Sequence, residues 1–201
     1  MIKYGMVIDL KKCIGCHTCT IACKVENGTG PGVFWSQVID REVGTYPSVK
    51  RIFIPRLCMH CDDPPCVRAC PSGASYQRQD GLVLIDQAKC IGCRYCSVAC
   101  PYGARHFNKA RAGYFPQGFT PYEELLYQSH ETGVVEKCNF CATLVDRGQQ
   151  PACVRACPMN ARTFGDLNDP RSEVAQLVRS KRAYRYLEEM GTKPSVFYLP
   201  A

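Results

Sequence analysis

The chain has 201 residues, and 46% of them are hydrophobic, which excludes intrinsic disorder because enough apolar surface is available to bury a core. Its formal net charge is +7, and its 16 cysteines are an extreme content for a chain of this length. No run of residues reaches the roughly 18 to 20 uninterrupted apolar positions that a membrane-spanning helix requires.

The first predicted element is a short strand that contains Val7, Ile8 and Leu10, because apolar and β-branched residues cluster there. The N-terminal residues 1–9 contain neither the apolar core of a signal peptide nor a twin arginine. We therefore expect another protein to carry this chain if it leaves the cytoplasm.

All sixteen cysteines fall into four groups of four. In chain order the groups are Cys13-x2-Cys16-x2-Cys19-x3-Cys23, Cys58-x2-Cys61-x4-Cys66-x3-Cys70, Cys90-x2-Cys93-x2-Cys96-x3-Cys100 and Cys138-x2-Cys141-x11-Cys153-x3-Cys157. The first and third groups have the same spacing. Proline follows the last cysteine in every group except the first, where Lys24 takes its place.

The second half of the chain repeats the first. Residues 6–16 match residues 83–93 at an offset of 77, and residues 65–71 match residues 152–158. Leu82 to Ile85 accordingly form a second predicted strand before the third group. The chain therefore consists of two copies of a block with two cysteine groups.

Two long segments, 24–57 and 102–137, interrupt the repeats and are rich in glycine and proline. They are too long for simple connectors and are interpreted either as docking surfaces or as lids over the cysteines. Near the C-terminus, Asp169 is the predicted N-cap of a helix with Pro170 at its first position. Residues 196–199 are predicted to form a strand or an extended arm on a partner.

Three kinds of site compete for the cysteine pattern. Disulfides suit a small secreted domain, but cysteines so close in sequence seldom bridge well. Zinc requires two pairs for each tetrahedral ion, which leaves a third cysteine surplus in each tight group. The run C-x2-C-x2-C-x3-C followed by proline is the [4Fe–4S] run of bacterial ferredoxins, so sixteen thiolates predict four clusters.

Several other residues lie near the cysteines. Gly15 and Gly92 are predicted to allow a tight bend, and His17 and His60 are interpreted as packing residues beside the clusters. Basic side chains crowd the groups and either stabilise reduced clusters or form a solvated face. They are Lys12, Lys24, Arg68, Lys89, Arg94, Lys137 and Arg155.

Motifs of catalysis and of nucleic-acid recognition are absent from the sequence. It contains no GxGxxG or Walker loop, no radical-SAM C-x3-C-x2-C pattern and no continuous basic stripe. We expect a chain without a catalytic residue of its own that does not bind nucleic acid.

The motifs resemble those of the iron–sulfur electron-transfer subunits of the DMSO reductase family of molybdoenzymes. The resemblance runs through the whole chain, including residues 60–67, 100–105, 137–141 and 163–170. Residues 32–36 and 42–47 look most like subunits of polysulfide reductase and respiratory arsenate reductase.

The resemblance implies an α+β fold of two ferredoxin-like lobes in one body. Residues 1–57 with 102–201 would form the lobe of groups one and four, and residues 58–101 that of groups two and three. It also implies four ligand sets. They are set 1 (Cys13, Cys16, Cys19, Cys157), set 2 (Cys23, Cys138, Cys141, Cys153), set 3 (Cys58, Cys61, Cys66, Cys100) and set 4 (Cys70, Cys90, Cys93, Cys96).

The implied function is an electron relay between a membrane quinone-reactive subunit and a molybdenum or tungsten molybdopterin subunit. Polysulfide, thiosulfate, tetrathionate or arsenate would be the terminal acceptor. Set 1 would lie nearest the molybdopterin subunit and set 4 nearest the quinone side. The catalytic partner would export this chain to the outer face of the cytoplasmic membrane. A soluble polyferredoxin for a formate- or hydrogen-linked enzyme and a zinc-binding structural protein remain alternatives.

Bound clusters explain the positive net charge better than an acidic binding partner does. An oxidised cubane with four thiolates carries about −2, so four clusters would bring a +7 chain close to neutrality. The excess of Lys and Arg is therefore predicted to compensate the clusters internally.

Overall fold

The computed structural model describes residues 1–128, 130–180 and 182–201. It is a mixed α/β protein whose largest sheet has four strands. Strand β1 (Tyr4–Asp9) lies parallel to β10 (Val196–Leu199) and antiparallel to β8 (Arg162–Asp166), and β9 (Tyr184–Arg185) borders β10. The predicted first strand is confirmed at Val7 and Ile8, whereas Leu10 lies just after its end. Residues 196–199 form a strand of the protein's own sheet.

The buried strand β1 separates two apolar layers. Met6 and Ile8 point into the main core, which also contains Tyr198 and many of the cysteines. Val7 points the other way and packs against Val174. This alternation follows from the two-residue period of a strand, and all three side chains are at most 1% exposed.

Short helices follow the cysteine loops. They are α1 (Thr18–Asn27), α2 (Pro65–Arg68), α3 (Tyr95–Val98), α5 (Ala142–Val145) and α6 (Ala152–Arg155). Strand β5 (Val83–Ile85) precedes α3 as β1 precedes α1. The predicted order of strand, cysteine loop and helix is therefore confirmed in both halves.

The strand pairing connects particular cysteine groups. The strand before group one, β1, pairs with β8 after group four. The strand before group three, β5, pairs with β4 (Ser75–Gln77) after group two. A further pair, β6 (His106–Phe107) with β7 (Val135–Glu136), places Phe107 and Val135 against Cys66 and Cys96.

The segment 24–57 forms a long antiparallel hairpin. Its strands are β2 (Ser36–Thr45) and β3 (Ser48–Leu57). The half near the body packs beside the first cysteine loop, where Phe53 contacts Gly15 and Pro55 lines a cavity. The distal half is exposed and ends at Tyr46, which is 89% exposed. One half therefore covers cysteines as a lid does, and the other protrudes.

The segment 102–137 contains helix α4 (Pro121–Tyr127), which begins at a capping box. The Thr120 hydroxyl accepts a hydrogen bond from the Glu123 N–H, and the Glu123 carboxylate accepts one from the Thr120 N–H. Glu123 also accepts from the Tyr114 N–H, which fastens the preceding loop to the helix.

The last helix, α7 (Glu173–Arg179), begins later than predicted. Its N-cap is Ser172, whose hydroxyl accepts from the Ala175 N–H, and the prediction of Asp169 was wrong. The Asp169 carboxylate instead accepts from the Arg171 N–H in a turn before the helix. The predicted apolar face is correct, because Val174, Leu177 and Val178 pack on the sheet.

Within the described residues, no helix has both the length and the apolar character needed to cross a membrane.

Candidate iron–sulfur centres

None of the sixteen cysteines forms a disulfide bond. Twelve of them line three cavities of similar size, between about 290 and 340 Å³ with their open mouths included. The cavities are lined by the cysteines of set 1, of set 3 and of set 4 respectively. Within the described residues, no three His, Cys, Asp or Glu side chains are arranged to bind a single metal ion.

The four cysteines of set 2 are all buried in the interior of the protein. Cys23 is close enough to Cys141 and Cys153 for their charges to interact, and Cys138 is in the same way close to Cys23 and Cys153. Burial and these neighbours raise the pKa of Cys138 well above that of a free thiol. Deprotonation of these thiols therefore requires a compensating positive charge.

Exposure divides the sets into two outer and two inner ones. Cys16 of set 1 and Cys93 of set 4 are exposed, whereas the other fourteen thiols are buried or half-buried. In set 3, burial raises the pKa of Cys61 to about 12. The outer sets therefore each present one thiol to the surface, and the inner sets present none.

Glycine makes the two outer loops possible. Gly15 and Gly92 have φ of +70° and +69°, in the left-handed region that side chains disfavour. A Cβ at Gly15 would lie 2.4 Å from the Phe53 ring, and one at Gly92 would lie 2.1 Å from the Gly133 carbonyl oxygen. The predicted tight bend is confirmed at both positions.

Hydrogen-bond donors lie beside several sulfur atoms. The Ala161 N–H is 3.3 Å from Cys157 Sγ, and the Ser75 N–H is 3.4 Å from Cys70 Sγ. The Asn27 amide donates to both Cys23 and Cys141 at 3.7 and 3.8 Å. Such donors stabilise thiolates and favour cluster reduction.

Sets 2 and 3 approach each other in the main core. Cys138 of set 2 is close enough to Cys58 of set 3 for their charges to interact. The ring of His60 accepts a hydrogen bond from the Val83 N–H at Nδ1 and donates one to the Cys138 carbonyl at Nε2. Burial lowers the pKa of His60 well below its usual value, so this residue is neutral packing, as predicted. His17 is instead exposed.

Most of the basic residues singled out from the sequence lie on the surface. Lys12, Arg68, Lys89, Arg94 and Arg155 are exposed, and Lys24 is half-buried. Lys137 is buried and donates to the carbonyls of Val83 and Cys138. The compensation predicted inside the protein is therefore carried by fewer cations than expected.

Two buried cations, Arg105 and Arg162, are not among the residues predicted from the sequence. The signal was available, because each follows the last cysteine of its group by five residues in the repeated pattern Cys-Pro-x-x-Ala-Arg. Arg162 lies beside Cys19, and Arg105 lies beside Cys66.

Comparison with known proteins identifies the chemistry of these cysteines. The chain matches the family model of a 4Fe-4S dicluster domain over residues 49–117 and 114–167, and that of a 4Fe-4S binding domain over residues 4–25. The 4Fe–4S interpretation is therefore confirmed over the disulfide and zinc alternatives.

Iron–sulfur subunits of several reductases align with nearly the whole chain. A selenate reductase subunit of Mesobacillus selenatarsenatis is 46% identical over 98% of this chain and 72% of its own length. The arsenate respiratory reductase iron-sulfur subunit ArrB of Shewanella is 41% identical over 98% of this chain and 96% of its own. A tetrathionate reductase subunit of Salmonella typhimurium is 42% identical over 98% and 72%.

These relatives belong to reductases of different acceptors, so the similarity follows the electron-transfer subunit and not one substrate. Together with the paired cysteine groups, they show that the chain belongs to the non-catalytic iron–sulfur electron-transfer subunits of the molybdopterin oxidoreductases.

Proposed function

We propose that this chain carries four [4Fe–4S] clusters in sets 1 to 4 and conducts electrons between a membrane quinone-reactive subunit and a molybdopterin catalytic subunit. The observation that supports this proposal is the order of the sets in the molecule, with two inner sets between two outer ones. Sets 1 and 4 have the only exposed thiols among the sixteen, Cys16 and Cys93, and sets 2 and 3 meet between them at Cys138 and Cys58.

The residues fit clusters in their chemistry. Four thiols line each of three cavities, and buried guanidinium nitrogens of Arg105 and Arg162 lie without a hydrogen-bond partner beside the sulfurs. Fe–S clusters take four cysteine thiolates and carry negative charge that such cations stabilise. When bound, each cluster supplies a centre that accepts and releases a single electron.

The ligand sets cross between groups, so that the last cysteine of each group joins the set of another group. The strand pairing supports this assignment, because β1 and β8 tie group one to group four while β4 and β5 tie group two to group three. On the same grounds we propose two ferredoxin-like lobes, residues 1–57 with 102–201 and residues 58–101. The β6–β7 pair of the larger lobe packs against the smaller one.

Exposed apolar side chains lie among the cysteines of each outer set in the sequence. Ile14 and Ile21 flank set 1, and Ile91, Tyr95 and Val98 flank set 4, all at least 53% exposed. Apolar patches of this kind mark protein contacts. We assign the patch at set 1 to the molybdopterin subunit and that at set 4 to the membrane subunit, following the family resemblance.

Metal analysis tests the cluster count. The full-length protein, purified without oxygen, is expected to contain about sixteen irons and as many sulfides. Zinc, or only one or two irons per chain, would contradict the proposal. Electron paramagnetic resonance (EPR) during a redox titration should then resolve four one-electron centres.

Copurification tests the partners and the location. With its genetic neighbours expressed, the chain should copurify with a molybdopterin subunit and a multi-spanning membrane protein, and fractionate with the outer face of the cytoplasmic membrane. Deleting a twin-arginine signal from the catalytic partner should leave this chain in the cytoplasm. Assays of the complex with polysulfide, thiosulfate, tetrathionate and arsenate would identify the acceptor.

A further inference from the structure

Arg105 and Arg162 occupy the same place relative to cysteine groups three and four, five residues after the last cysteine of each group, and both are buried. They are 7% and 4% exposed. A guanidinium does not lose its proton in a protein, so each brings a full positive charge into the interior. Burying such a charge is costly unless opposite charges compensate it.

Carboxylates do not provide that compensation. None of the ion pairs within the described residues involves Arg105 or Arg162. Apart from Tyr198, which faces Arg162, the groups around the two arginines that can carry a negative charge are cysteines, and these come from different ligand sets.

Arg162 lies between set 1 and set 2. Its Nη2 donates to Cys19 Sγ at 3.3 Å and to the Ser36 hydroxyl at 3.1 Å. Its charge also acts on the buried Cys153 and Cys23 of set 2. Its Nη1 is buried and has no hydrogen-bond partner.

Arg105 lines the cavity of set 3, and its charge reaches set 4. Its Nη1 donates to the Ser75 hydroxyl at 2.7 Å. Its charge interacts with Cys66 and Cys58 of set 3 and with Cys96 of set 4. Its Nη2 is buried without a partner. Each arginine thus donates to one serine hydroxyl and has one buried nitrogen without a hydrogen-bond partner.

We propose that Arg162 raises the reduction potentials of the clusters in sets 1 and 2, and that Arg105 raises those of the clusters in sets 3 and 4. The inference rests on the proposed function. Reduction adds a negative charge to a cluster, and a nearby positive charge at low dielectric stabilises that charge. One cation between two sites keeps both members of a pair reducible, which suits transfer from one to the other.

The test uses full-length protein purified without oxygen, with EPR-monitored redox titration of wild type, Arg162→Gln and Arg105→Gln. Arg162→Gln should shift two midpoint potentials to more negative values, beyond the scatter of repeat titrations. Arg105→Gln should shift the other two. Matched controls are Arg155→Gln and Arg68→Gln, which delete an exposed arginine two residues after a cysteine in each half, and these should shift none.

Unshifted potentials in a fully loaded Gln variant would overturn the inference, as would an equal shift of all four centres or the same shift in the controls. A wild-type protein without clusters would contradict the proposed function itself, so the two failures are distinguishable.

If a Gln variant loses iron, the inference is tested with variants that keep the positive charge. Arg162→Lys and Arg105→Lys should hold the potentials closer to wild type than Gln does. Ser36→Ala and Ser75→Ala, which release the guanidinium from its anchor, should shift the same pair of centres by a smaller amount. Potentials that do not move in the Ser variants would then overturn the inference.

Discussion

The ring of His60 stacks on the ring of Phe140, with centroids 3.8 Å apart and planes inclined by 14°. His60 belongs to the second cysteine group and Phe140 to the fourth, so this contact joins segments that the sequence separates by eighty residues. Phe140 is 1% exposed and also packs edge-on against Phe164 of β8. The contact therefore fixes sets 2 and 3 relative to each other.

Phe140→Ala should destabilise the protein by about 3 to 5 kcal/mol, because a large buried ring is replaced by a cavity. For a chain of this size that lowers the thermal midpoint by about 6 to 20 °C. Anaerobic thermal unfolding followed by circular dichroism measures it. Phe115→Ala, at a position 57% exposed, is the control and should stay near wild type. Equal losses in both would show that the stack is not a stabilising contact.

The crossed ligand assignment predicts that Cys13→Ser and Cys157→Ser alter the same spectroscopic centre. Both thiols line one cavity although 144 residues separate them. EPR spectra of the reduced variants provide the measurement. Cys23→Ser should alter a different centre, although Cys23 belongs to the same cysteine group as Cys13. Separate centres affected by Cys13→Ser and Cys157→Ser would refute the crossing.

Gly92→Ala should damage the site of set 4 alone. The left-handed φ costs about 1 to 2 kcal/mol for a residue with a side chain, and the new methyl would meet the Gly133 oxygen. We expect iron content to fall by up to one cluster while the EPR signals of the other sets remain. Gly30→Ala, where a Cβ meets only ordinary contacts, is the control. Full cluster content in Gly92→Ala would contradict the prediction.

His130 predicts a pH dependence of stability. Burial opposes its charged form, but the Glu136 carboxylate 2.9 Å away and the Asn27 carbonyl raise its pKa above the ordinary 6.5. The protonated ring therefore stabilises the fold fully below pH 6.5, and this stabilisation is lost as pH rises through the raised pKa.

The difference in thermal midpoint between wild type and His130→Gln should thus shrink as pH increases above 6.5. His17→Gln, at an exposed position, should run parallel to wild type over the same range. A constant difference for His130→Gln would rule out a protonated ring.

Val98→Glu should weaken binding of the membrane subunit and leave the clusters intact. Val98 is 86% exposed beside set 4, and a buried unpaired charge at an interface is costly. Copurification and quinol-dependent reduction of the complex measure the effect, and iron content serves as the check on folding. Val43→Glu is the control, because it places the same charge at an exposed apolar position in the distal half of the hairpin. Normal assembly of Val98→Glu would remove set 4 from the proposed interface.

The sequence predicts the cysteine chemistry and the strands before groups one and three well, because both depend on local spacing and period. The bend at Gly15 and Gly92 follows from the same local pattern. The N-cap of α7 was missed because Asp169 and Ser172 both suit a cap, and only the turn closed by Asp169 decides between them. Arg105 and Arg162 were missed because burial of a cation depends on which distant thiols the fold brings around it.

The hairpin of β2 and β3 has a consequence for the symmetry of the molecule. The duplication alone would make two equivalent ends, each with an Ile-Gly-Cys loop and an exposed thiol. The hairpin packs through Phe53 and Pro55 on the loop of set 1, whereas the cavity of set 4 is lined without it. The two ends of this duplicated protein therefore differ in shape. A partner subunit can bind one end and not the other, whatever the redox state of the clusters.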